Sequence, residues 1–122
     1  MDDLFEISND VQKAIDLKKP IVALESTLIS HGLPYPENIK VAKESINAVQ
    51  DNGSVAATIG IINGKVKIGL SEDDINILAQ DNNVQKVSNH NLKLSLFKKE
   101  NAATTVASTI SIASLFGIKF FS

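Results

Sequence analysis

Apolar residues along this chain recur alternately at helical and at strand spacing. Val11, Ala14 and Ile15 lie three and four residues apart behind Ser8, a good helix cap, and predict a helix to about Lys18 that Pro20 ends. Four consecutive apolar residues, Ile21 to Leu24, leave no solvent face and read as a buried strand, with Glu25 at its C-terminal end. After a Pro34-Tyr35-Pro36 turn, Ile39, Ala42, Ile46 and Val49 form one apolar stripe on a helix closed by Asn52-Gly53. From Val55 to Leu70 the period changes to that of two strands around Asn63-Gly64, a pair that suits the tight turn of a β-hairpin. Lys65, Val66, Lys67 and Ile68 alternate, so one face of the second strand is wet. Ser71-Glu72-Asp73-Asp74 starts a helix to about Gln80. A short strand over Val84 to Val87 precedes a helix capped at Ser88 with Leu92 and Leu96 on one face. Thr104 or Thr105 starts a last helix with Val106, Ile110 and Ala113 in register, and Gly117 separates it from a strand over Ile118 to Phe121.

This order predicts an α/β fold: an incomplete α/β/α sandwich whose mostly parallel or mixed sheet carries an inserted hairpin. At 122 residues and 43% hydrophobic content the chain can build one core and not two. The 12 basic and 14 acidic residues are mixed along the sequence, which disfavours nucleic acid or another large polyanion as partner. The absence of cysteine removes disulfides, thiolate nucleophiles and Cys-type zinc sites. An acidic N-terminus with no basic and apolar leader, and no apolar run of membrane-spanning length, make a soluble cytoplasmic protein the expectation.

In α/β folds ligands collect at the C-terminal ends of strands, which selects Glu25, Lys86 and the Thr104-Thr105 pair. A carboxylate at the end of a buried strand is partly stripped of water, which suits a general acid; it also suits a structural group that caps a backbone turn or pairs with a lysine. His31, beside Gly32 and a proline-rich turn, is either a proton shuttle or a hydrogen-bonded strut, and lacks the partner spacing of a metal ligand. Lys86 can aim an ammonium at a phosphate or sugar oxygen, or simply be solvated. Thr104-Thr105-Val106 offers hydroxyls and free N–H groups at a helix start, suited to a phosphate ester or to plain capping.

The segment Ala23-Leu-Glu25-Ser-Thr-Leu-Ile-Ser-His31-Gly-Leu-Pro34-Tyr-Pro36 resembles the signature of the pseudouridine-5′-phosphate glycosidases. The resemblance continues through Ala57-Thr58-Ile59, Asn63-Gly64-Lys65 with Ile68-Gly69-Leu70, Lys86-Val87-Ser88, and Ala103-Thr104-Thr105-Val106-Ala107 with Thr109. It runs from about Ile7 to the end, less than half of the family's usual length, so residues 1–122 are expected to form the N-terminal part of a single domain. The chain departs from the family's pattern at Asn89-His90-Asn91 and at Ala102.

The resemblance implies reversible cleavage of the C–C glycosidic bond of pseudouridine 5′-phosphate to uracil and ribose 5-phosphate. A carbon leaving group departs poorly, so the family opens the sugar and forms an imine between its C1′ and a lysine, while an acid delivers and removes protons. By the motif match Glu25 is the proton donor, and Lys86 and Val106 contact the substrate; Thr104 and Thr105 are added as neighbours of the phosphate or sugar. The family's imine-forming lysine and metal-binding aspartate fall beyond the matched segment, so the manganese ion and the homotrimer that the resemblance implies require a completed chain. A gene fragment, a split gene and a decayed copy all fit this sequence. The expected alternative to an enzyme is a noncatalytic remnant that binds a sugar phosphate or joins a subunit interface. An incomplete sheet is also expected to expose apolar surface around Ile118, Phe120 and Phe121.

Overall fold

A computed structural model describes residues 4–118 and the backbone of 120–121. Strand β1 (Phe5–Ile7) leads through Ser8 into helix α1 (Asn9–Asp16), and the Ser8 hydroxyl accepts from the Val11 N–H. The helix stops short of the expected Lys18, and Pro20 is not what ends it. Lys18 adopts φ +57°, the Lys19 N–H bonds back to the Ala14 carbonyl and the Lys18 N–H to that of Ile15, a left-handed terminus formed without glycine. Strand β2 (Ile21–Leu24) follows as expected, then a short helix α2 (Thr27–His31) that the sequence pattern does not announce, and α3 (Glu37–Asp51). Strands β3 (Val55–Ile62) and β4 (Lys65–Ile68) form the hairpin, with Asn63 at φ +50° and Gly64 at φ +77° as a primed turn requires. Helix α4 (Glu72–Gln80) opens with a reciprocal capping box between Ser71 and Asp74. Then come β5 (Gln85–Val87), α5 (Leu92–Phe97), β6 (Ala102–Thr104), α6 (Val106–Leu115) and β7 (Phe120–Phe121).

The fold is a mixed α/β arrangement around one sheet. Its main path runs β1-β4-β3-β2-β7, with β6 paired to β3 and β5 to β6. The β1/β4, β2/β3, β2/β7 and β5/β6 pairs are parallel, whereas β3 pairs antiparallel with β4 and β6. Eight residues make β3 long enough to serve two partners along one edge: Val55 to Thr58 pair with β2, and Gly60 and Ile61 pair with β6. Strands β2 and β6 run in opposite senses along that edge, so their C-terminal ends point at each other.

One face of the sheet packs Ala57, Ile59, Ile61, Val66 and Ile68 against α1 and α6. The other packs Ile62 and Ala103 against Ile29 of α2, Ala42 of α3, and Ile75 and Leu78 of α4. Buried Asn38 at the start of α3 joins these helices, its Nδ2 donating to the carbonyls of Ile29 (2.8 Å) and Ala79 (3.0 Å).

Several expectations are corrected. The α5 helix begins at Asn91 rather than Ser88, because the Asn91 carboxamide oxygen accepts from the Ser88 N–H (2.8 Å) and closes a turn that delays the helix. Thr104 belongs to β6, and Thr105 alone caps α6, accepting from the Ser108 N–H. The expected stripe on α6 is also displaced: Ser108, Thr109, Ile112 and Ala113 are buried, whereas Val106 and Ile110 are exposed. Ile118 is 3% exposed and contributes no open apolar surface. The same expectation for the side chains of Phe120 and Phe121 lies outside the described residues.

Candidate active site

The head-on approach of β2 and β6 builds a junction from which two helices depart. Ser26, directly after β2, donates its N–H to the Thr104 carbonyl (3.1 Å), and its Oγ accepts from the Thr104 N–H (2.8 Å). Beneath this tie lies a chain of buried hydroxyls. Thr104 Oγ1 donates to the Ile59 carbonyl (2.8 Å), meets Thr109 Oγ1 at 2.8 Å, and lies 3.3 Å from Ser26 Oγ. Ser108 Oγ donates to the Val87 carbonyl (2.8 Å), and the Thr105 N–H donates to the same carbonyl (3.1 Å), which fastens the start of α6 to the end of β5. The C-terminal ends of three strands and the N-termini of α2 and α6 therefore converge.

Glu25 stands at this junction, half-buried. Its carboxylate accepts from the N–H groups of Thr27 (3.0 Å) and Leu28 (3.2 Å) and from the Thr27 hydroxyl, so it caps α2 in place of the Ser26 side chain. It also lines a cavity of about 250 Å³ with Val106, Leu24, Leu28, Ser45 and Thr58. That volume is slightly below the roughly 300–1,000 Å³ of complete small-molecule sites. The wall is aliphatic except for the carboxylate and two hydroxyls, and no cationic side chain lines it.

The sequence candidates separate here. Glu25 and Val106 come together on one cavity; Thr105 precedes Val106 with its side chain turned to the Ser108 N–H and hydroxyl (3.3 and 3.1 Å). Thr104, expected near the ligand, is instead fully buried, with its hydroxyl engaged by the Ile59 carbonyl and Thr109. Lys86 is exposed on β5, level with Ala103 across the β5/β6 pair, and does not line the cavity; its own carbonyl accepts from Asn91 Nδ2 (3.1 Å). His31 is exposed at the end of α2 and borders a separate cleft with Tyr35 and Asp81. Another cleft, of about 740 Å³ between α3 and the starts of α1 and α4, holds none of the candidate residues. Sequence reasoning missed Ser26, whose signal was its position between a buried strand and a helix start, and it missed the cavity wall formed by Ser45 and Thr58. Among the described residues no group of three or more His, Cys, Asp or Glu is placed to hold a metal ion, and no chemical step is derived through one. Nor is any helix among them long and apolar enough to cross a membrane.

Residues 10–122 match the family described as indigoidine synthase A like protein. The chain belongs to that family. A Thermosipho africanus protein named pseudouridine-5′-phosphate glycosidase is 56% identical over 115 residues, which are 94% of this chain and 39% of the relative. The Escherichia coli protein of the same name is 49% identical over 120 residues, 98% of this chain and 38% of that one. Among solved structures, the prealnumycin C-glycosynthase AlnA in complex with ribulose 5-phosphate superimposes with a TM-score of 0.87 at 36% identity, over 99% of this chain and 39% of AlnA. An indigoidine synthase A-like protein from Thermotoga maritima gives a TM-score of 0.84 at 30% identity, over 97% of this chain and 38% of its own. The chain thus spans about two fifths of the length of these relatives.

Proposed function

We propose that this chain supplies the acid-bearing wall of a pseudouridine-5′-phosphate glycosidase site, and that the reaction needs a polypeptide equivalent to the rest of the relatives' length. The observation that carries this reading is the placement of Glu25 and Val106 on one cavity where two strand ends meet two helix starts. Relatives of that name at about half identity support the substrate class, and a C-glycosynthase structure holding a ribulose 5-phosphate supports a sugar-phosphate ligand. In this reading Glu25 exchanges a proton with the ribosyl part of the substrate. The Thr27 N–H binds its Oε2 and the Leu28 N–H its Oε1, so both carboxylate oxygens are held in place at the cavity wall. The N–H groups of Val106 and Ala107, in the first turn of α6, have no carbonyl four residues back within the helix and offer donors to a phosphate or sugar oxygen. Lys86 enters only through its long side chain, reaching back from the β5 edge toward the same ligand.

The test is uracil release from pseudouridine 5′-phosphate in buffer containing manganese, with this chain alone, with the complementary part of the Thermosipho relative, and with both. Release is expected only from the combination and is expected to be abolished by Glu25→Gln. Release that survives this substitution refutes the role of Glu25, and no release from a folded combination refutes the glycosidase reading.

A second reading, noncatalytic binding of a sugar phosphate, draws on the engagement of the Glu25 carboxylate as the cap of α2. Calorimetric titration with ribose 5-phosphate distinguishes them: heat of binding without uracil production from the combination selects the second.

A further inference from the structure

Helix α6 is built the wrong way round for a helix that faces water. Its inner side buries Ser108 and Thr109 beside Ile112 and Ala113, while its outer side presents Val106 (59% exposed), Ile110 (39%) and Leu115 (69%) among Ala107, Ser111 and Ser114. From Asn101 to Ile118 no residue is charged. Among the other exposed large apolar residues on helices or at their ends, Leu17 is flanked by Asp16 and Lys18, and Leu94 and Phe97 by Lys93 and Lys98; Leu28 and Ile77 have uncharged neighbours but stand singly, not in a run. One of the outer polar groups is satisfied within the helix: Ser114 Oγ donates to the Ile110 carbonyl (2.8 Å). A helix without charge and apolar on its outer side is a helix to be packed on both sides.

The lengths of the relatives supply a candidate to cover it. The AlnA structure contains this same unit, with a TM-score of 0.87, as 39% of a longer chain, so about 61% of that chain lies outside the matched unit. We propose that the outer face of α6 docks a polypeptide equivalent to that remaining part of the fold, either linked to this chain or separate from it. Because Val106 and the half-exposed Leu28 also line the Glu25 cavity, the docked polypeptide roofs the cavity and completes its volume. The role of the roof rests on the glycosidase reading above; the docking itself does not.

The experiment mixes this chain with the part of the Thermosipho relative that lies outside the matched stretch. Complex formation is followed by size-exclusion chromatography with light scattering and by titration. A one-to-one complex is expected, weakened at least about a hundredfold by Ile110→Glu or Ser111→Arg, since each buries an unpaired charge. Leu94→Glu on α5 is expected to leave it unchanged. Should either α6 variant lose its circular dichroism spectrum, hydrogen exchange on the unaltered chain gives the same reading: α6 amides slow on mixing if α6 is the docking face. Absence of a complex, a complex indifferent to both α6 variants with no slowing at α6, or a homodimer of this chain that excludes the added polypeptide each overturns the proposal. A one-to-one complex that shows the α6 dependence and yet releases no uracil upholds the docking face and refutes the glycosidase reading alone.

Discussion

Replacing Thr104 by valine removes one hydroxyl from the centre of the fold while keeping the shape of the side chain. Thr104 is fully buried, and its Oγ1 donates to the Ile59 carbonyl at 2.8 Å while lying 2.8 Å from Thr109 Oγ1 and 3.3 Å from Ser26 Oγ. Ser26 retains the Thr104 N–H as a donor at 2.8 Å, so its oxygen stays satisfied. The Ile59 carbonyl loses its side-chain donor and Thr109 its hydroxyl partner. One lost hydrogen bond at about 1 kcal/mol together with a buried polar group left unpaired at about 1–3 kcal/mol gives a destabilisation of about 2–4 kcal/mol. For a domain of this size that lowers Tm by roughly 10 °C. The chain has no tryptophan and one tyrosine, so urea melts followed by far-ultraviolet circular dichroism are the suitable assay. Thr104→Ser keeps the hydroxyl and loses a methyl group, at about 1 kcal/mol. In the double variant Thr104→Val with Thr109→Val, the second change removes the orphaned hydroxyl, so the losses sum to less than additive by about 1 kcal/mol. A serine variant less stable than the valine variant, or strict additivity in the pair, refutes the hydroxyl chain as the bond between strand ends.

Other expectations follow from single contacts. Gly64→Ala places a Cβ 2.7 Å from Lys99 Cα and 2.9 Å from the Leu96 carbonyl at φ +77°, and is expected to cost about 2 kcal/mol or more in urea melts and to speed hydrogen exchange in α5. Asn38→Asp keeps the shape but turns a donor toward two carbonyls into a carboxylate, and is expected to cost about 3 kcal/mol or more at neutral pH, with loosening of α2 and α4 together in hydrogen exchange. Ser71→Ala removes the acceptor for the Asp74 N–H on an exposed helix start, and a loss of about 1 kcal/mol in the same melts is expected; none measured means the capping box does not hold α4.

The parts of the fold that were legible in the sequence are those fixed by local chemistry. Ile21 to Leu24, four apolar residues rich in β-branched side chains between Pro20 and Glu25, read as a buried strand; Asn63-Gly64 has the backbone freedom its turn uses; Ser71 and Asp74 cap each other across one turn. The elements that escaped are held by distant partners. Ala102 to Thr104 has little strand propensity and is a strand because β3 and β5 flank it; Phe5 to Ile7 is too short for a period and pairs with β4. The α6 face was misjudged for the same reason. Its aliphatic residues mark one side by periodicity, but the hydroxyls of Ser108 and Thr109 find buried acceptors on β5 and β6, which no pattern within the helix reveals. At the site, Glu25 was legible as the residue ending a buried strand, and its neighbour Val106 through the motif, whereas the expectation that Lys86 and Thr105 share its surroundings depended on tertiary geometry.

That geometry follows from strand lengths. Strand β3 has eight residues; β2 takes four of them and β6 two on the same edge, which leaves Ile59 between the two pairings, where its carbonyl is free to accept the Thr104 hydroxyl. Gly60 also keeps the junction uncrowded, because a Cβ there would lie 3.3 Å from Ser26 Oγ and 3.1 Å from side-chain atoms of Leu70 and Leu78, which would have to give by a few tenths of an ångström. A longer β2 would collide end-on with β6. A β6 slipped by one residue would turn Thr104 to the opposite face of the sheet and break both its tie to Ser26 and its bond to Ile59. The position of the acid is therefore set less by its own side chain than by the register of β3 with two short strands, with Glu25 the first residue beyond the point where β2 must stop.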